Sequence, residues 1–285
     1  MKGIDQIASK KYAGSFAWPT LILALSLAIS LIASISLCYL GLIPLWFSSI
    51  TNFILCYVAF TPLHEAVHNN IRGSFKHLQW IENLVGHLSG TMLLGPFRCF
   101  GFLHLSHHAH TNDSAEDPDA WVKGKNFWSV FWRCLTIIPH YYVYFFTSKK
   151  SFAKKLFLPT VANFIFLILL IIFLASIFSY KIIFFGWVIP SLLANSALAF
   201  FLDYLPHAPH STQDRYKNTN IIFGKIIYII SMGHSLHIIH HLWPRIPFYR
   251  YGQAFNEYAY LIEKNKTPVF YSLTHFFYEI KKHNS

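Results

Sequence analysis

No aspartate, glutamate, lysine or arginine occurs between Ala13 and Leu63. That run is long enough for two membrane spans of about 20 residues each, and Gly41-Leu-Ile-Pro44 is the natural place for a tight reversal. Two further uncharged runs, Leu156–Tyr180 and Ile182–Leu202, are separated by Lys181 alone. A backbone in hydrocarbon must satisfy its own polar groups, so these runs must be helices. The pattern predicts an all-α integral membrane protein with two helical hairpins, spanning about 18–40, 45–63, 156–180 and 182–203. Regions 64–155 and 203–285 then form a cap on one side of the bilayer.

Composition agrees. Only 12% of residues are charged and 54% are hydrophobic, with a mean hydropathy of +0.39, against about 25% charged in soluble domains. Lys2, Lys10 and Lys11 precede an apolar run too long for a signal-peptide core, so the first span is read as a retained anchor. Residues 78–97 are apolar but interrupted by Glu82 and His87, too short and too polar for a full span. The aromatic stretch Phe127–Phe146 suits an interfacial segment. Among the lysines and arginines, Lys181 alone falls on the side opposite the cap. The positive-inside rule therefore makes the cap cytosolic, in a plasma or photosynthetic membrane. No basic stripe alternates with stacking aromatics, which excludes nucleic acid as a partner. Cys38, Cys56, Cys99 and Cys134 have no regular spacing and predict neither a disulfide framework nor a thiolate cluster.

The cap carries the chemistry. Its histidines fall into three clusters: His64 and His68; His104, His107 and His108; His237, His240 and His241. Spacings of three and four put each cluster on one helical face. One zinc or iron takes three to five protein ligands, so eight imidazoles suggest two ions, and an imidazole-rich site with room for oxygen suits iron. A lone histidine near an interface is ordinarily a tolerated polar residue, which covers His77, His140, His275 and His283. His87, His110, His210 and His234 lie between these and the clusters: His110, one turn beyond His107, and His234, three residues before His237, are candidates for supporting roles rather than for ligands. A rival reading is local: His64-Glu65-Ala-Val-His68 matches the metalloprotease pattern in which two histidines hold zinc and the glutamate activates water. It leaves the other two clusters unexplained. A metal carrier fits poorly, because transport sites lie near the midplane.

Three such boxes after membrane hairpins resemble the integral-membrane fatty acid desaturase and hydroxylase superfamily, from about Thr61 to Tyr251. Longer stretches resemble its cyanobacterial-type β-carotene hydroxylases: His64-Glu-Ala-Val-His-Asn69, Gly86-His-Leu-Ser-Gly90, His104-Leu-Ser-His-His-Ala-His-Thr-Asn-Asp113 and Glu116-Asp-Pro-Asp119. So do Phe201-Leu-Asp-Tyr-Leu-Pro-His207 and His237-Ile-Ile-His-His-Leu-Trp-Pro-Arg-Ile-Pro247, with Tyr249 and Tyr251. The resemblance implies a non-haem oxygenase with two iron ions, using O2 and electrons from an external, ferredoxin-type donor to hydroxylate a β-ionone ring of a membrane-dissolved carotenoid, at carbon 3. An acyl-lipid desaturase is the alternative, and a carotenoid ketolase a further one. It also implies the eight box histidines as ligands and His207 as a ninth, with Asp203 orienting it or bridging through water. Two residues depart from the pattern: Glu65 stands where aspartate is expected, and His234 where glutamine is.

Overall fold

A computed structural model describes Ile7 and residues 10–284, apart from the side chains of the last two; Lys2 and the side chain of His283 lie outside the described residues. Four helices are long and apolar enough to cross a membrane: α1 (Trp18–Tyr39), α2 (Leu45–Val67), α7 (Ser151–Phe178) and α8 (Tyr180–His207). Between the first two, Leu40–Pro44 closes the hairpin, with Gly41 at a φ of +73°, a left-handed conformation that glycine adopts without steric cost. Ser179, at a φ of +79°, separates the other two. Outer faces are apolar: Ile29, Leu158 and Ile172 are mostly exposed, as expected where lipid is the solvent.

Small and polar side chains hold the spans together, because apolar burial supplies no net drive between helices in lipid. Ser34 and Ser48 hydroxyls meet at 2.9 Å between α1 and α2. A wide π-helical turn at Phe184–Val188 frees carbonyls of α8, and α2 satisfies them. Ser49 donates to the Phe185 carbonyl at 2.7 Å, and Asn52 to that of Gly186 at 2.6 Å. A second π turn, Ala199–Tyr204, turns Asp203 toward the protein interior just before the span ends.

The cap is helical. It comprises α3 (Gln79–Met92), α4 (Phe97–His110), α5 (Phe127–Leu135), α6 (Ile137–Thr147), α9 (Lys225–Ile230), α10 (His237–Leu242), α11 (Tyr251–Lys264) and α12 (Leu273–Asn284). A two-residue parallel pairing, β1 (Ile221–Ile222) with β2 (Val269–Phe270), ties its late segments together. α3 and α4 pack closely because Gly86 lies against the Phe97 ring, where an added Cβ would approach to 2.5 Å. α10 is amphipathic at short range: Ile238 and Ile239 are fully buried in a core with Ile246, Tyr251 and Ala254, while its histidines face the other way.

The expected architecture stands, with three boundary corrections. α2 runs to Val67, so His64 belongs to its last turn, and α8 includes His207 as its final residue. α7 begins at Ser151 rather than near 156, carrying Lys154 and Lys155 within it. Charge marks where the apolar band ends, but a helix continues past it as long as the cap satisfies its last turn. The four cysteines are free and buried.

Candidate metal centre

Nine histidines converge in two groups. His64, His68, His104, His108 and His240 form one; His107, His207, His237 and His241 form the other, each with its ring nitrogens within 4.8 Å of one another. The clusters interleave. In α4, His104 and His108 enter the first group and His107 the second; in α10, His237 and His241 enter the second and His240 the first. Spacing of four keeps two rings stacked on one line of a helix, while the intervening position three along is rotated toward the neighbouring group.

In the first group, Nε2 atoms meet in a chain. His68 lies 2.9 Å from His104, His104 3.0 Å from His108, His108 2.8 Å from His240, and His240 2.9 Å from His64. Each Nε2 carries either one hydrogen or one lone pair. A chain of five such atoms therefore satisfies at most two of its four contacts by hydrogen bonding. A cation between them satisfies all at once. At metal–nitrogen distances of about 2.0–2.1 Å, neighbouring ligands at right angles stand about 3 Å apart, which is the spacing observed. In the second group, His241 Nε2 is 3.2 Å from that of His107 and 3.1 Å from that of His237.

Outer contacts fix the rings. His207 donates Nδ1–H to the Asn218 carbonyl at 3.0 Å, leaving its buried Nε2 lone pair facing the second group with no hydrogen-bond partner. His107 Nδ1 lies 2.9 Å from Asp117 and 3.4 Å from Asp119, and Asp117 is itself held by the amides of Asn112 and Asp119. The Tyr251 hydroxyl is 3.1 Å from His240 Nδ1. Burial, reinforced by repulsion among neighbouring histidines, pushes His104, His108, His237, His240 and His241 well below the usual imidazole range. Burial lowers His68 to about 3. Neutral imidazole is the ligating form. His107 differs: burial pulls it down, but Asp117 and Asp119 outweigh that and raise it to about 9. A metal held at its Nε2 would take the place of that proton, with Asp117 and Asp119 supporting the ring from Nδ1.

Of the supporting candidates, His234 packs against His64, its ring centroid 4.9 Å away, and is buried without a hydrogen-bond partner. Asp203 does not orient His207. It lies 3.1 Å from the Tyr141 hydroxyl, which donates to Asp119 at 2.7 Å, because the π turn aims it away from the chain's last helical turn. His87 packs on Phe97 and bonds to Asn163. His110 is half-buried outside both groups, since the helix ends there. Glu65 turns to the Asn70 side chain at 3.2 Å, away from the cluster, so the local protease pattern lacks its base. Asp117, Asp119, Tyr141 and Tyr251 were not assigned roles from sequence; a Pro-spaced acidic pair directly after a histidine helix was the available signal.

A cavity of ≈ 70 Å³ is lined by histidines of both groups. Phe60, Phe100, Leu103, Tyr142, Leu198 and Leu202 supply apolar lining, and His64, His104, His107, His237, Asp119, Tyr141 and Asp203 the polar part.

The sequence matches the fatty acid desaturase family over residues 39–272. It is 33% identical over 111 residues to an sn-1 oleoyl-lipid 12-desaturase of Picosynechococcus sp., covering 37% of this chain and 28% of that one. A protein of the same name from Synechocystis sp. is 33% identical over 109 residues, 36% and 29% of the two chains. A fatty acid conjugase of Calendula officinalis is 39% identical over 54 residues, 19% and 13%. The matched segments thus span less than a third of these relatives.

Proposed function

The chain belongs to the fatty acid desaturase family, and from that premise we propose that it is an O2-dependent membrane oxidoreductase that desaturates the acyl chains of lipids. The carrying observation is the five-nitrogen chain whose contacts hydrogen bonding cannot satisfy. His64, His68, His104, His108 and His240 would hold one iron, and His107, His207, His237 and His241 the other. Two irons held by such imidazole sets would supply the O2 activation needed to attack an unactivated C–H bond. The whole chain, 1–285, is read as one catalytic unit.

The protein's own residues do the rest. Asp117 and Asp119 hold the Nδ1 proton of His107, the Asn218 carbonyl holds that of His207, and the Tyr251 hydroxyl that of His240; these contacts fix which nitrogen of each ring faces inward. Phe60, Phe100, Leu103 and Leu198 exclude water from the cavity. Converting CH2–CH2 to CH=CH while O2 becomes two waters consumes two electrons and two protons, so a separate, ferredoxin-type donor is required. The basic cap, cytosolic by the positive-inside rule, suits an acidic one.

Ring hydroxylation of a carotenoid is the second reading, favoured by Asp203-Tyr-Leu-Pro-His207 and His240-His-Leu-Trp-Pro-Arg-Ile-Pro247. Of those residues Asp203 lines the cavity, whereas Trp243 and Ile246 are buried in the cap core. Two of the relatives are named as oleoyl-lipid desaturases and one as a fatty acid conjugase, which puts the acyl reading ahead of the carotenoid one. Expression in cells containing both β-carotene and monounsaturated lipid decides between them. New acyl double bonds with unchanged carotene are expected; hydroxylated carotene with unchanged acyl chains would overturn the desaturase reading.

A further inference from the structure

Two other cavities run together along α5, one of ≈ 800 Å³ and one of ≈ 430 Å³, sharing Gly124, Lys125, Asn126, Tyr204 and Ile280. The combined groove has two chemically different ends. Lys123, Lys125 and Arg133 line the wider part. Phe127, Val130, Phe200 and Phe277 line the narrower, with Lys281 beside them. Arg133 is already engaged, bonded to the Trp121 carbonyl at 2.7 Å and lying 4.9 Å from the Trp121 ring. Lys123 reaches the His210 carbonyl at 3.4 Å. Among the described residues no carboxylate lies within ion-pair distance of Lys123, Lys125 or Lys281; the one acidic residue lining the groove, Asp117, is buried against His107. The groove lining therefore combines a surplus of positive charge with apolar, largely aromatic side chains.

Its depth relative to the bilayer follows from its neighbours. Phe200 and Tyr204 belong to the last turns of α8, where the fourth span leaves the membrane. Beside them α5 presents Phe127, Trp128, Phe131 and Trp132 outward, with Trp128 67% exposed. An aromatic face on a short amphipathic helix flanked by lysines belongs in the interfacial layer, between headgroups and acyl chains.

We infer that this groove is a binding site for an anionic phospholipid, its phosphate toward Lys123 and Lys125 in the wider part, one acyl chain along Phe127, Phe200 and Phe277, and Lys281 adding positive charge beside that chain. The site shares no lining residue with the cavity at the metal centre, so the lipid it takes is a resident of the protein, whatever the oxidised substrate. An acidic protein docking on the same lysines would satisfy the charges but leave the aromatic lining uncovered, and lipid covers both.

The test uses the full-length, metal-loaded protein in phosphatidylcholine nanodiscs, titrated with phosphatidylglycerol, with retained lipid counted by native mass spectrometry. Each lysine near an anionic surface contributes about fivefold in affinity, so the triple variant Lys123→Gln, Lys125→Gln, Lys281→Gln should bind phosphatidylglycerol on the order of 100-fold more weakly, with its metal content unchanged. Phe277→Ser should weaken phosphatidylglycerol severalfold without changing the response to inorganic phosphate. Equal retention of phosphatidylglycerol and phosphatidylcholine would overturn the proposal, as would unchanged affinity in the triple variant. Displacement of the lipid by millimolar phosphate would reduce the site to a phosphate site. Loss of acidic-donor binding in the triple variant, with lipid retention intact, would make the surface a protein interface instead.

Discussion

Replacing Tyr251 by phenylalanine isolates one contact at the metal centre. The ring of Tyr251 is fully buried and packs in the cap core, so the substitution keeps its shape and removes only the hydroxyl 3.1 Å from His240 Nδ1. When Nε2 of His240 faces the first group, Nδ1 carries the hydrogen and the hydroxyl accepts it. Deleting that acceptor strands a buried N–H, at a cost of about 1–3 kcal/mol, equivalent to roughly 5–150-fold. Loss of an outer contact to a metal-bound histidine costs about 10–100-fold in metal affinity, and the two ranges agree. His240 belongs to the first group alone, so one metal of two should be affected. Under increasing chelator, metal content measured by plasma mass spectrometry should fall from two per chain to one at a chelator concentration about 10–100-fold below that needed for the parent. Helicity and membrane insertion should not change. Two metals leaving together at the parental concentration would refute the assignment of separate groups, and unchanged resistance would refute the role of Tyr251.

Further outcomes follow from the same geometry. His108→Ala should remove metal and turnover, because His108 bridges His104 and His240 at 3.0 and 2.8 Å, whereas His110→Ala should leave both within about twofold; loss of metal in the latter would return His110 to the site. Leu198→Trp, at a buried position on the cavity wall, should cost about 1–3 kcal/mol of stability by overpacking and stop turnover with two metals retained; normal turnover would move the substrate elsewhere. The chelated protein should lose thermal stability as pH falls from the ordinary histidine value of 6.5 toward 3. His68, lowered to about 3, binds fewer protons folded than unfolded across that window, and His104, His108, His237, His240 and His241 are lowered in the same sense. His107, raised to about 9, contributes the opposite trend, with stability lost as pH rises through 9. A melting temperature that does not fall between pH 6.5 and 5 would contradict the burial of neutral imidazoles.

The four spans were legible in the sequence because charge is nearly forbidden in hydrocarbon. A run such as Ala13–Leu63 is long enough for two helices on either side of a turn at Gly41–Pro44, and Lys181 alone divides the second pair. The three histidine clusters were equally legible, since helical spacing is local. Tertiary structure decided how they divide. Whether His107 joins His104 or turns to His207 depends on the rotation of α4 against α2, α8 and α10, which no local spacing encodes. The carboxylates at His107 arrive from a turn that doubles back after the helix, and Tyr251 from a helix, eleven residues beyond its partner His240. Asp203 lies four residues before His207 and was expected to orient it, yet its carboxylate sits 3.1 Å from the Tyr141 hydroxyl. Charge and period are written residue by residue and survive in the linear chain. The direction in which a side chain finally points is set by packing among helices distant in sequence, and only the folded protein holds that information.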